Sequence, residues 1–288
     1  MNITGRTTLC GLFGFPVEHS FSPMMHNAAF RELGLDWAYL PFAVKPDNLS
    51  VAVNSIRALD LAGVNVTVPH KEAVLPYLDE LTTAAEMIGA VNVISNNNGK
   101  LIGDNTDGQG FTKALQQEPG FTVQGKKAVI LGAGGAAKAV AVQLALEGLM
   151  EIKVINRTND RAQDIAQKAG RLGVNHAVCN WEDNLVDIIA NSDLVVQATN
   201  VGMYPDTEKC LPVSPDAFSP GQVVCDLVYN PVETKFLKMA RANGAVTANG
   251  LGMLLYQGVL AFEQWTGSDA PVQIMREVLM NQMRGDKQ

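Results

Sequence analysis

Lys127-Ala128-Val129-Ile130-Leu131 runs directly into Gly132-Ala133-Gly134-Gly135-Ala136-Ala137. The first five residues form a short apolar run, the pattern of a buried strand. The next six read G-x-G-x-x-A and open a helical pattern. Each small residue answers a physical demand. Gly132 permits a tight turn, Gly134 lets the backbone approach a pyrophosphate, and Ala137 lets the helix pack close to the strand. The helix N-terminus then offers free N–H groups and partial positive charge to phosphates. A glycine pattern alone is weak evidence. Here the strand before it, the helix after it and a second strand at 152–155 supply the context that a dinucleotide site requires.

That second strand leads into Asn156-Arg157-Thr158. NAD sites usually place Asp or Glu roughly 20 residues beyond the glycines, on the ribose 2′-hydroxyl. This chain has Asn156, which does not repel a 2′-phosphate. Arg157 follows at once, Thr158 adds a hydroxyl, and Arg161 comes four residues later. Two guanidinium groups there suit bidentate phosphate contacts. The cofactor expected is NADP. Asp160, a carboxylate that a ribose hydroxyl can bond, keeps NAD as the alternative.

Outward from this point the chain alternates strands and helices. Downstream, strands are expected at 194–197, 223–227 and 245–247, with helical patterns between them. Upstream, strands are expected at 9–15, 37–42 and 63–68. Helices are expected at 23–33, with Ser22 as N-cap and Pro23 at the first position, and at 47–59. Such alternation predicts largely parallel, covered sheets. Asn98-Gly99, between apolar runs at 90–94 and 101–102, predicts a hairpin and some antiparallel pairing. Pro119-Gly120 and Gln124-Gly125 punctuate a seam at 105–125. The tail is helical again at 253–265 and 272–283. No internal repeat or low-complexity segment is present.

Composition narrows the function. The 288 residues are 47% apolar and 18% charged, enough for a substantial core in two domains. A net charge of −7 without a long basic run argues against a nucleic-acid binder. The four cysteines, Cys10, Cys179, Cys210 and Cys225, form no CxxC pair, so neither a metal site nor a disulfide framework is expected. No signal-peptide pattern and no membrane-length apolar run is found. A cytoplasmic protein with no membrane partner is the expectation. No motif encodes an oligomeric state, and a homodimer is held open.

A second group of polar residues lies upstream. Ser20 and Ser22 flank a helix start, which suits an anion, although Ser22 as a mere cap explains that segment equally well. Asn65, Thr67 and Lys71 cluster at the end of a short strand, where open α/β sheets bind ligands. Asn92 ends an apolar run, either as an inward amide or as the cap of a turn. Asp107 opens a helix and pairs chemically with Lys71 for proton transfer, unless it, Asn105 or Thr106 serves only as an N-cap.

Together these residues resemble one family. Ser20-x-Ser22-Pro23, Asn65-Val-Thr67-Val-Pro-His-Lys71, Gly89-Ala-Val-Asn92, Asn105-Thr-Asp107-Gly108, Gly132-Ala-Gly-Gly-Ala136, Asn156-Arg-Thr158, Tyr229-Asn-Pro231 and Asn249-Gly-Leu-Gly-Met-Leu-Leu-x-Gln257 look like shikimate dehydrogenase motifs, in the family's order. The resemblance implies reversible, NADP-dependent reduction of 3-dehydroshikimate to shikimate, a step in aromatic amino-acid biosynthesis. Its substrate is a small hydroxylated ring carboxylate. Ser20, Ser22 and Tyr229 match residues that hold the carboxylate. Thr67, Asn92 and Gln257 match contacts to the ring hydroxyls and their surroundings, and Lys71 with Asp107 matches the catalytic pair. Gly132, Ala133, Gly134, Gly135 and Ala136 match the phosphate loop. Asn156, Arg157, Thr158 and Arg161 match the ribose pocket, and Thr199, Leu227 and Gly250 match the nicotinamide half. Leu227 replaces a methionine common in the family, a volume-conserving change.

The implied fold is α/β. An N-terminal substrate-binding and catalytic domain with a mostly parallel sheet, 1–110, carries helices 251–288 packed back on it. A Rossmann-type dinucleotide-binding domain spans 111–250, with a hinged cleft between. Two alternatives are kept. One is a quinate/shikimate dehydrogenase with NAD or dual cofactor use. The other is a non-catalytic NADP-binding regulatory protein.

Overall fold

The computed structural model describes residues 3–285. The chain divides into two units, Met1–Thr106 with Gln257–Gln288, and Asp107–Tyr256.

The first unit begins with β1 (Thr8–Gly14), α1 (Ser22–Glu32), β2 (Trp37–Ala43), α2 (Leu49–Ala58) and β3 (Gly63–Val66). It continues with β4 (Glu80–Leu81), α3 (Thr83–Ile88), β5 (Val93–Asn97) and β6 (Lys100–Asp104). The sheet order is β2-β1-β3-β5-β6-β4. β1 is parallel to β2 and β3, and β4 is parallel to β6, while β5 runs antiparallel to β3 and β6. The expected hairpin is present. Asn97 faces Lys100, and Asn98 and Gly99 both take positive φ, 54° and 87°, the geometry that Asn-Gly tolerates best.

β1 lies between two strands, so it is apolar from Leu9 onward, with Cys10, Leu12 and Phe13 buried. Gly11 is required by a close approach, because a Cβ there would press into the Leu40 carbonyl and the Phe42 ring. Three boundaries differ from expectation. The helix expected at 47–59 splits into a 3₁₀ turn, Pro46–Asn48, and α2. β3 stops at Val66, since Pro69 has no N–H to continue a ladder and the His70 N–H turns back to the Thr67 carbonyl. The strand expected at 90–94 is β5, so Asn92 precedes a strand rather than ending one.

α4 (Thr106–Gln117) leads into the second unit. There follow β7 (Lys127–Leu131), α5 (Gly135–Leu146), β8 (Glu151–Ile155), α6 (Asn159–Gly170), β9 (Asn175–Cys179), α7 (Leu185–Ala190), β10 (Leu194–Gln197), β11 (Val223–Asp226), α8 (Lys235–Ala242) and β12 (Val246–Asn249). Every pairing is parallel and the order is β12-β11-β10-β7-β8-β9. Counted from β7, that is the doubly wound order 3-2-1-4-5-6 of dinucleotide-binding sheets, with its switch point between β7 and β10. Both faces are covered. Along β7, Ala128 and Ile130 pack into one core with Val140 and Leu144 of α5. Val129 and Leu131 pack into another with Phe236 and Leu237 of α8. Alternate burial on two faces is the period-2 geometry of a strand, and each fully buried aliphatic contributes roughly 1.5–3 kcal/mol.

α9 (Leu251–Thr266) and α10 (Val272–Gly285) close the chain. From Gln257 onward they belong to the first unit, where α10 packs on α1 and Trp265 Nε1 donates to the Ile94 carbonyl at 3.1 Å.

Candidate active site

In the first unit the residues of interest gather where β1 and β3, adjacent and parallel, reach their carboxyl ends. Ser20 and Ser22 follow β1, Asn65 is on β3, and Thr67 and Lys71 follow it. Ser22 does not cap α1. It is the first helical residue, and Phe21 holds the cap position without a side-chain bond. Ser20 Oγ accepts from the Ser22 N–H at 3.3 Å, so the two serines are tied together.

Asn65 is 5% exposed and Asn92 3%. Asn65 Oδ1 accepts from the Tyr39 hydroxyl at 2.8 Å, and its Nδ2 donates to the Asn92 carbonyl at 3.2 Å. Asn92 Oδ1 accepts from the Thr106 N–H at 2.8 Å, and Asn92 Nδ2 donates to Thr106 Oγ1 at 3.1 Å. The Asn92 amide therefore caps the start of α4 from a distant segment. Thr106 Oγ1 also bonds the Gln257 carbonyl of α9 at 3.1 Å. Gln257 is half-buried rather than solvent-facing.

Lys71 is half-buried, unlike an ordinary surface lysine. Its backbone is fixed on both sides. The Val91 N–H donates to the Lys71 carbonyl at 2.8 Å, and buried His70 places Nε2 2.7 Å from the Val44 carbonyl. Asp107 sits in the first turn of α4, one residue inside the helix rather than at its cap. It is the first residue of the second unit.

In the second unit one cavity of about 680 Å³ opens at the carboxyl ends of β7, β8 and β10. Gly132, Ala133, Gly134, Asn156, Arg157, Arg161 and Thr199 line it. Gly132 has φ +116°, and a Cβ there would lie 2.8 Å from Thr199 Cγ2, so only glycine fits the turn. Gly134 is the N-cap of α5 and has no side chain to satisfy the helix N–H groups. Gly135 and Ala136 open the helix, exposed, with free space in front of both glycines. Such a bare helix start fits a pyrophosphate. Asn156 follows β8 and donates Nδ2 to the Thr158 carbonyl at 3.0 Å, folding the turn that presents Arg157. Thr158 is the N-cap of α6. The donor set fits a dinucleotide bearing a 2′-phosphate. Leu227 and Gly250 lie outside this cavity and touch each other, since a Cβ on Gly250 would overlap the Leu227 carbonyl.

Sequence reasoning missed two kinds of residue here. Trp181, Asp206 and Lys209 line the cavity from loops with no recognisable motif. Gln197 and Asp226 brace the site from behind. Gln197 Nε2 donates to the Val201 carbonyl and to Asp226 Oδ1, each at 3.1 Å. Asp226 also accepts from the Val228 N–H at 2.9 Å and the Thr234 hydroxyl at 2.6 Å, which shapes the loop carrying Leu227 and Tyr229. Burial pushes the Asp226 carboxyl up to about 6, against these donors. A polar residue closing each apolar strand, Leu194–Gln197 and Val223–Asp226, was the available signal. Tyr229 is held above the usual phenol range by burial.

The geometry agrees with what the chain is similar to. Residues 12–94 match the shikimate dehydrogenase substrate binding domain. Residues 113–211 match shikimate/quinate 5-dehydrogenase, and residues 250–280 the shikimate 5′-dehydrogenase C-terminal domain. A shikimate dehydrogenase (NADP(+)) of Desulforamulus reducens is 55% identical over 98% of this chain and 97% of its own. The structure of shikimate 5-dehydrogenase from Listeria monocytogenes, in complex with shikimate and NAD, is 43% identical. It superposes with a TM-score of 0.94 over 97% of this chain and 98% of that one. The Thermus thermophilus enzyme, in complex with NADP(H) and shikimate, is 37% identical, with a TM-score of 0.83 over 95% and 99% of the two chains. With family models covering most of its length and a relative more than half identical from end to end, the chain belongs to the shikimate dehydrogenase family.

Proposed function

We propose that the chain catalyses the NADP-dependent, reversible reduction of 3-dehydroshikimate to shikimate, in aromatic amino-acid biosynthesis. One observation carries the reading. Lys71 is held half-buried on a fixed backbone, in the same unit as the interlocked, buried amides of Asn65 and Asn92. Such a set suits proton transfer on a small polyhydroxylated ring. Ser20, Ser22 and Tyr229 hold the ring carboxylate. Asn65, Thr67, Asn92 and Gln257 meet the hydroxyls. Bound NADPH supplies the hydride for the ring carbonyl carbon. Lys71 donates a proton to the carbonyl oxygen as it gains negative charge, and takes it back in the reverse direction. Its positive charge stabilises the oxygen before the proton moves. Asp107 assists Lys71. Gly132–Ala136 hold the pyrophosphate, Asn156, Arg157, Thr158 and Arg161 the 2′-phosphate, and Thr199, Leu227 and Gly250 the nicotinamide half.

In this reading residues 1–110 with 251–288 form the catalytic and substrate domain, and 111–250 the NADP-binding domain. We place the enzyme in the cytoplasm as a homodimer, the latter to be checked by sedimentation equilibrium. Among the described residues no helix is long and apolar enough to cross a membrane.

The test is a set of initial rates in which shikimate and quinate are each paired with NADP and NAD. Turnover concentrated in the shikimate–NADP pair is the expected result. Comparable rates with quinate or NAD would assign the chain to a broader quinate/shikimate activity. No turnover in any pair, despite measurable NADPH binding, would leave a regulatory NADP-binding protein.

A further inference from the structure

We infer that Tyr39 is a positioning residue for the substrate, acting through the amide of Asn65. The inference rests on the proposed contact between Asn65 and the ring.

Tyr39 lies on β2, an edge strand, at 1% exposure. Its peptide is clamped from both sides by one side chain of α1. Asn27 Nδ2 donates to the Tyr39 carbonyl and Asn27 Oδ1 accepts from the Tyr39 N–H, each at 2.9 Å. Its ring stacks on His26 at 4.6 Å and 5° from parallel, within a cluster that includes Phe262 and Trp265. Backbone and ring are therefore both fixed, and the phenol oxygen has one place to be. Burial pushes the phenol's pKa well up, so it remains a neutral O–H donor.

The direction of each hydrogen bond follows from a single anchor. The Asn92 carbonyl can only accept, so the Asn65 atom facing it is Nδ2. Asn65 Oδ1 then faces Tyr39, and the phenol must donate to it. The chain runs Tyr39 → Asn65 → Asn92. Its effect on Asn65 is to forbid the flipped amide, which would turn an N–H toward the phenol and a carbonyl toward another carbonyl. The second N–H of Asn65 is thereby kept as a donor for a substrate hydroxyl. Without the phenol, Oδ1 loses its buried partner and the amide loses one of its two restraints.

Tyr39→Phe tests this in the full-length enzyme, since it removes one oxygen and leaves the ring stack on His26. The expected result is a KM for shikimate raised about tenfold, the size of one well-placed hydrogen bond to a ligand. The kcat and the KM for NADP stay within about twofold. Adding Tyr39→Phe to Asn65→Ala should raise the shikimate KM no further, because the two act as one unit. A lowered Tm with an unchanged shikimate KM would make Tyr39 merely structural and overturn the inference. So would full additivity in the double variant. An Asn65→Ala enzyme with an unaltered shikimate KM would overturn it by a different route, by removing the Asn65 contact on which it stands.

Discussion

In the first unit Asn65, Asn92, Asn105 and Thr106 are each at most 5% exposed, and each bonds another side chain or a backbone group. In the second unit Arg157 and Arg161 stand exposed and line a cavity together with the glycine turn of Gly132 and Gly134. The second unit has buried polar groups too, Gln197, Asp226 and Thr234, but they brace the loops from behind. The difference follows from the ligands each half is proposed to take. A small ring with several similar hydroxyls is told from its relatives only by donors and acceptors that cannot turn, so those groups are buried and bonded to one another. A dinucleotide is long and doubly anionic at its pyrophosphate. A bare helix start and a few exposed cations bind it with little need for a rigid wall. Substitutions in the first unit should therefore disturb chemistry and stability together, and those at the second unit's cavity should disturb cofactor affinity alone.

The largest effect is expected at Lys71. Lys71→Ala removes the proposed proton donor, and kcat should fall on the order of 10³-fold, within the range for loss of a general acid–base group. The KM for NADP should change little, because the cavity proposed to take the cofactor lies in the other unit. Steady-state rates in both directions would check this. A loss below tenfold would remove Lys71 from the proton-transfer role.

The interior of the first unit should also show in stability against pH. His26 is fully buried between Tyr39 and Phe262, neither ring nitrogen has a hydrogen-bond partner, and burial lowers its pKa from the ordinary 6.5 to about 3. The folded state thus keeps His26 neutral where the unfolded chain would protonate it. With the folded value depressed, the unfolded state binds more protons between those limits, so stability falls as pH drops below about 6.5. At pH 5 the loss from this one group amounts to about 2 kcal/mol. In His26→Phe that loss should vanish. Urea denaturation of both proteins at pH 7 and pH 5 measures it as a difference of differences, in which the acidic groups common to both cancel. An equal acid loss in the two proteins would show that His26 is not the source.

How much of this was legible follows the same division. The cofactor half could be read because its chemistry is local. Gly132 and Gly134 sit on one turn, and Asn156 to Thr158 on another, each beside the strand that defines it. The Asn98-Gly99 turn was legible for the same reason. The substrate half was legible as residue types but not as geometry. Ser22 looks like a cap in sequence, yet it is the first residue of α1 and Phe21 holds the cap position. The Tyr39–Asn65 bond joins residues 26 apart, and Thr106 to Gln257 spans 151. No local pattern announces such pairs. β9 was missed because it is an edge strand with Asn175, His176 and Ala177 exposed, so no apolar alternation marks it. Lys209 and Trp181 reach the cavity only through the fold of the loops after β9 and β10.

The smallest effect, and the sharpest test of the contrast, is at Arg157. It is exposed and lines the cavity beside Asn156 and Arg161. Arg157→Ala should raise the KM for NADP about tenfold, the value of one exposed charge-assisted contact to phosphate. It should leave the KM for NAD nearly unchanged, since NAD has no 2′-phosphate to lose. The effect should shrink as salt is raised, because an exposed charge is screened. The Tm should not move, since surface substitutions away from the core are usually worth less than about 0.5 kcal/mol. An equal rise in KM for both cofactors would mean that Arg157 shapes the whole loop rather than reading the phosphate. A drop in Tm alongside it would erase the distinction between a buried, interlocked substrate wall and an exposed cofactor site.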